Sequence, residues 1–134
     1  MREWVRSYQA FERFDTRLHL ARGLTAAQAD VLFSLGNTEG LTCKELGERT
    51  LITKGTLTGV LDRMQSKKLI ARRTSAQDRR SKVIHLSARG EQLFEQIFPQ
   101  HLSLLKERFD QLTRTEMRQA TQSLRQLRQL FEKP

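Results

Sequence analysis

A chain of 134 residues, 37% hydrophobic and 29% charged, can bury one ordinary core and does not read as disordered. Its single cysteine, Cys43, excludes an internal disulfide framework and a multi-cysteine zinc site. No apolar run nears the roughly 18 residues of a membrane span, and the mixed polar start lacks a signal peptide's apolar stretch, so a cytoplasmic protein is expected.

The first segment, about Arg2 to Ala21, spaces Trp4, Tyr8, Phe11, Phe14 and Leu18 three or four apart, which predicts an amphipathic helix ended by Arg22-Gly23. A second helix opens on the capping box Thr25-Ala-Ala-Gln28 and carries Ala29, Leu32, Phe33 and Leu35 up to Gly36. A third opens the same way, on Thr42-Cys-Lys-Glu45, and is short, ending near Thr50. The fourth starts at Thr53 as N-cap and runs to about Lys68, with Leu57, Val60, Leu61 and Met64 on one face.

The period then changes. Ile70 to Ser75 and Lys82 to Leu86 read as two strands joined by the basic turn Ala76 to Ser81, with Ile84 and Leu86 facing inward. Ser87 is placed to cap a long helix to about Asp110, which Pro99 is expected to kink or split. Thr113-Arg-Thr-Glu116 is a further capping box. The helix behind it repeats Met117, Ala120, Leu124, Leu127 and Phe131, a seam suited to another helix. The fold expected is mainly α with a small β-hairpin.

The net charge of +9 is unevenly distributed. Between Thr53 and Gly90 ten basic residues face only Asp62 and Asp78, so that window alone carries +8. A polyanion suits such a field, because each neutralised phosphate releases condensed counterions. Two helices joined by Thr50-Leu51-Ile52 and followed at once by a basic hairpin describe a winged helix-turn-helix, whose second helix enters the DNA major groove. The outward face of that helix is small and polar: Thr53, Lys54, Gly55, Thr56, Thr58, Gly59, Asp62 and Arg63. Glycine inside a helix costs about 1 kcal/mol against alanine. Gly55 and Gly59 therefore call for a steric reason, either close approach of DNA or room for a neighbouring helix. The residues assigned to DNA are Thr53, Lys54, Thr56, Thr58 and Arg63 from the helix, with Arg72, Arg73, Arg79, Arg80 and Lys82 from the hairpin.

Residues Thr25 to Ser87 resemble the DNA-binding core of the MarR (multiple antibiotic resistance regulator) family. The likeness rests on Glu45-Leu-Gly47, on Thr53 through Arg63, on the wing pattern Asp78-Arg-Arg80-Ser-Lys-Val-Ile84-His-Leu86-Ser87, and on Ser87-Ala-Arg-Gly90 at the entry to the long helix. Two positions depart from the pattern: Lys68 stands where glycine is common at the recognition helix's end, and Gly47 replaces the usual alanine. The resemblance implies one domain over 1–134, with 25–87 binding DNA and 1–22 and 88–134 pairing with a second copy. It also implies Arg80 in the minor groove with Asp78 fixing the wing, a small-molecule effector between the two parts, and a transcriptional repressor working as a homodimer on a pseudo-palindromic operator.

Other readings are weaker. Cys43 opens the third helix, a place that favours thiolate, yet a structural thiol accounts for it. His19, His85 and His101 fall on separate elements without metal-ligand spacing, so no metal or cofactor is expected. The aromatic stripes, Trp4 to Phe14 and Phe94 with Phe98, are read as dimer core. No nucleophile–base pair, paired carboxylates or phosphate-cradling loop suggests an enzyme. A winged helix used only for protein interaction leaves the +8 window without purpose. A sequence-tolerant architectural binder differs in showing little gap between specific and non-specific affinity.

Overall fold

The computed structural model describes residues 1–50, 52–75 and 81–132. They form α1 (Arg2–Leu20), α2 (Ala26–Leu35), β1 (Leu41–Thr42), α3 (Cys43–Thr50), α4 (Lys54–Ser66), β2 (Ile70–Thr74), β3 (Lys82–Leu86), α5 (Ala88–Phe109) and α6 (Arg114–Glu132). The expected order is present with one strand added. β3 is central in the sheet order β1-β3-β2, antiparallel to both neighbours, with Leu41 opposite Ile84 and Ile70 opposite Leu86. Two residues carry no readable period, so β1 has no signal in the sequence.

The chain divides into two compact units, Met1–Phe98 and Pro99–Pro134. The core of the first is one cluster. Leu32 and Leu35 of α2, Leu46 of α3, and Leu57, Val60, Leu61 and Met64 of α4 meet Ile70, Ile84 and Leu86 of the sheet. Phe94 joins this cluster and stacks on Phe98 with centroids 4.7 Å apart, while Phe33 lies 5.1 Å from Phe98. The expectation that Phe94 and Phe98 form dimer core is therefore corrected. They face α2 within their own unit because Gly36 has no side chain: a Cβ there would lie 2.1 Å from the Phe94 ring.

The three predicted capping boxes close. Thr25 Oγ1 accepts from Gln28 N while Gln28 Oε1 accepts from Thr25 N, both at 3.2 Å. Thr42 with Glu45 and Thr113 with Glu116 do the same. Ser87 caps α5, its Oγ accepting from Gly90 N at 3.1 Å. Pro99 does not split that helix: α5 runs unbroken from Ala88 to Phe109. One lost N–H bond and a crowded carbonyl cost about 3 kcal/mol, less than intact turns on both sides can hold.

α4 ends in a motif that the sequence left open at Lys68. Leu69 N donates to Met64 O at 3.0 Å and Lys68 N to Gln65 O at 2.9 Å, the paired bonds of a Schellman turn. Lys68 occupies its left-handed position, at φ 58°. A lysine there costs roughly 1 kcal/mol against glycine. α5 then packs tightly against the chain leaving that turn, for a Cβ on Gly90 would come within 2.0 Å of Leu69 O.

Candidate nucleic-acid interface

α3 and α4 meet through a turn shaped by Thr50, whose hydroxyl donates to Leu46 O at 2.7 Å and accepts from Ile52 N at 3.4 Å. α4 buries Leu57, Val60, Leu61 and Met64 and turns its remaining side chains outward. Its first turn is unusual. Thr53 is the N-cap residue, as expected, but its side chain caps nothing; the hydroxyl donates instead to Thr56 Oγ1 at 3.2 Å. The leading amides of α4 are therefore not occupied by a side-chain cap, and a helix N-terminus in that condition suits a phosphate oxygen.

Gly55 has no atom within 4 Å of where its Cβ would stand, and Gly59 has only the guanidinium of Arg63, at 3.5 Å. No packed helix accounts for either glycine among the described residues. Of the two steric reasons, the one involving a neighbouring helix falls away. Thr58 donates its hydroxyl proton to Lys54 O at 3.1 Å, which leaves its lone pairs and methyl group to face outward. Neither the Lys54 ammonium nor the Arg63 guanidinium has a hydrogen-bond or ion-pair partner among the described residues.

The hairpin cations are arranged differently. Arg72 donates to Asp62 Oδ1 at 2.7 Å, joining β2 to α4. Arg73 donates to Glu39 O at 2.6 Å, and Lys82 to Thr74 Oγ1 at 3.0 Å. Arg72 and Arg73 tie the sheet to α4 and to the segment between α2 and β1, and Lys82 ties β3 to β2, roles that a charge count does not reveal. Asp62 is the one acidic residue on the outward face of α4, and it holds Arg72 in place. Asp78, Arg79 and Arg80, the expected wing tip, lie outside the described residues, as does Leu51.

Cys43, His19 and His85 have ordinary surroundings. Cys43 is a free, half-buried thiol packed against the core. His19 is buried with Nε2 3.1 Å from Asp15 Oδ1, and His85 Nδ1 lies 2.9 Å from Leu86 O. No helix among the described residues is long and apolar enough to cross a membrane.

Residues 22–81 match the model of the MarR family. The chain is 32% identical over 111 residues to the HTH-type transcriptional repressor MdtR of Bacillus subtilis strain 168, a match covering 83% of this chain and 72% of that protein. Bordetella bronchiseptica BpsR, described as regulated in its DNA binding by 6-hydroxynicotinic acid, superposes with a TM-score of 0.78 at 26% identity, covering 94% of this chain and 96% of that one. S. aureus MepR in complex with DNA gives a TM-score of 0.82 at 23% identity, covering 96% and 95%; that likeness speaks to the fold.

Proposed function

Because this chain belongs to the MarR family of winged-helix, DNA-binding transcriptional regulators, we propose that it is a repressor that acts as a homodimer on a pseudo-palindromic operator. The observation that carries the reading is the outward face of α4: an uncapped first turn, two glycines with nothing packed on them, and the cations Lys54 and Arg63, none of these paired or packed against among the described residues. In this reading Lys54, Thr56 and Thr58 meet base edges in the major groove. Thr53 and the leading amides take a phosphate, and Arg63, further along, takes another. Arg72, Arg73 and Lys82 hold the wing in position and add positive field at the backbone, while Arg80 reaches the minor groove and Arg79 adds a further DNA contact.

The homodimer is supported by surface that the single chain leaves open. Trp4, Val5, Tyr8 and Phe11 of α1 are exposed, and α6 buries none of its residues although Leu124, Leu127, Leu130 and Phe131 line it. Release by a small ligand is supported by the relative whose DNA binding responds to one. A cytoplasmic setting follows from the proposed target.

Selection of bound duplexes from a random DNA pool tests the reading. Imperfect palindromes with half-sites about 10 bp apart are expected. Lys54→Ala and Thr58→Ala should each relax preference at one or two positions per half-site by about 1–3 kcal/mol. Recovery of single half-sites, or of no consensus, would count against it.

A further inference from the structure

Successive side chains of a strand point to opposite faces, and β2 carries two arginines in a row. Arg72 lies opposite the buried Ile84 and Arg73 opposite Val83. Arg72 therefore shares the core face, where its guanidinium reaches α4 and donates to Asp62 Oδ1 at 2.7 Å. Arg73 lies on the other face and donates to Glu39 O at 2.6 Å. Glu39 stands two residues before β1, and β3 separates β1 from β2 in the sheet. One strand is thus held from both of its faces.

Both anchors are firmly seated. Asp62 belongs to α4, between the buried Leu61 and Met64. Glu39 is followed by Gly40 at φ 114°. A Cβ there would come within 2.6 Å of Val83 Cγ1 and 2.7 Å of Ile84 O, so only glycine lets this segment lie so close to β3. The strand they hold is an edge: β2 pairs with β3 and with no other strand among the described residues. Its last three residues, Arg72 to Thr74, are exposed. They form the outer half of the hairpin, which ends where Ser75 N donates to Ser81 O at 2.9 Å.

Asp62 calls for a reason. A carboxylate on the outward face of α4 opposes a polyanionic partner. Its ion pair is also a poor source of stability, because the side chains of Asp62 and Arg72 are 59% and 34% exposed. We propose that Asp62 is a positioning residue for DNA recognition. Together with the Glu39 carbonyl it clamps Arg72 and Arg73, sets the angle of the hairpin against α4, and so fixes which base steps the wing reaches. Asp62 itself touches no DNA. The recognition half of this inference rests on α4 and the wing binding DNA; the clamp does not.

The clamp is tested without DNA, on the full chain, by amide exchange. Asp62→Asn and Arg73→Gln should each speed exchange of the Ser75 N–H by about threefold to fivefold, the most that an exposed pair holds. The Ser87 N–H donates to Leu69 O at 3.0 Å beyond the inner end of the hairpin, and its exchange should not change. Melting temperatures should move by no more than about 4 °C.

Binding to the selected operator then gives a result whose sign decides the role. Asp62→Asn removes a negative charge from a face turned to DNA, so charge alone predicts tighter binding. The clamp predicts binding weaker by about fivefold. Base preference should be lost at the outer positions of each half-site and kept at those that Lys54 and Thr58 govern. Combining Asp62→Asn with Arg72→Gln leaves the net charge as in the wild type. Because the pair acts as a unit, this double variant should bind within about twofold of Asp62→Asn.

Unchanged exchange of Ser75 in both variants overturns the clamp. Operator binding by Asp62→Asn as tight as the wild type's, or tighter, overturns the positioning role and makes Arg72 a phosphate contact that Asp62 restrains. A double variant that binds as the wild type does has the same consequence. Should the wild type bind no duplex, the operator reading falls, while the exchange experiment still decides the clamp.

Discussion

Gly55 and Gly59 lie one turn apart on a helix face with no other packed element near them among the described residues. Alanine at either position has room, and inside a helix it is favoured by about 1 kcal/mol. Gly59→Ala should therefore raise thermal stability by up to about that amount, while DNA at van der Waals distance from the helix makes the same methyl group costly. Operator affinity is expected to fall about tenfold, or 1.4 kcal/mol, in Gly55→Ala and Gly59→Ala alike. Variants that are more stable and bind with full affinity would show that no backbone of a partner approaches this face. The same distinction between what a residue type suggests and what its neighbours permit applies to Arg72. Its charge points to phosphate, yet its guanidinium is engaged by Asp62.

Helix ends respond to pH in this fold. Glu45 has its carboxyl held below the usual 4.5, first by the backbone N–H of Thr42 and then by the Thr42 hydroxyl, and Glu116 is lowered in the same way by the Thr113 hydroxyl and then its N–H. A depressed folded-state value means that the carboxylate stabilises the fold above the unfolded value. That contribution is lost as pH falls through the folded one. Glu45→Gln keeps a capping side chain but removes the titration. Melts taken from pH 7 to pH 3 should show wild type above the variant at neutral pH and the gap closing below about pH 4.5. A gap that persists unchanged at pH 3 would mean that the carboxylate's charge contributes nothing to α3. The capping boxes were legible because they are local chemistry at fixed spacing. β1 was not, since Leu41 and Thr42 become a strand only by pairing with Ile84 and Val83, about forty residues away.

At the scale of the molecule, α6 is strongly amphipathic and yet no residue in it is buried. A stripe of Leu124, Leu127, Leu130 and Phe131 in water is the kind of surface that pairs with another copy or aggregates. Cutting the chain after Phe109 is expected to give a monomeric or poorly soluble product by sedimentation, with operator binding strongly reduced. Tight operator binding by a well-folded truncated monomer would remove the dimer from the account.

Sequence alone determined the elements whose causes are local. Threonine–glutamate and threonine–glutamine boxes set three helix starts, the 3–4 spacing of α4 chose its buried face, and period-two alternation set β3 with Ile84 and Leu86 inward. It also determined the total charge of the window from Thr53 to Gly90, because charge adds without reference to fold. What tertiary structure decided is where that charge goes. Arg72, Arg73 and Lys82 are taken up by Asp62, the Glu39 carbonyl and Thr74, while Lys54 and Arg63 have no partner among the described residues and lie beside two bare glycines. Lys67, Lys68 and Arg89 meet Arg22 in a separate cleft. The pairing of a charge depends on which atoms lie within a few ångströms, and those neighbours come from other elements, as near as Thr74 is to Lys82 and as far as Gly23 is from Lys67.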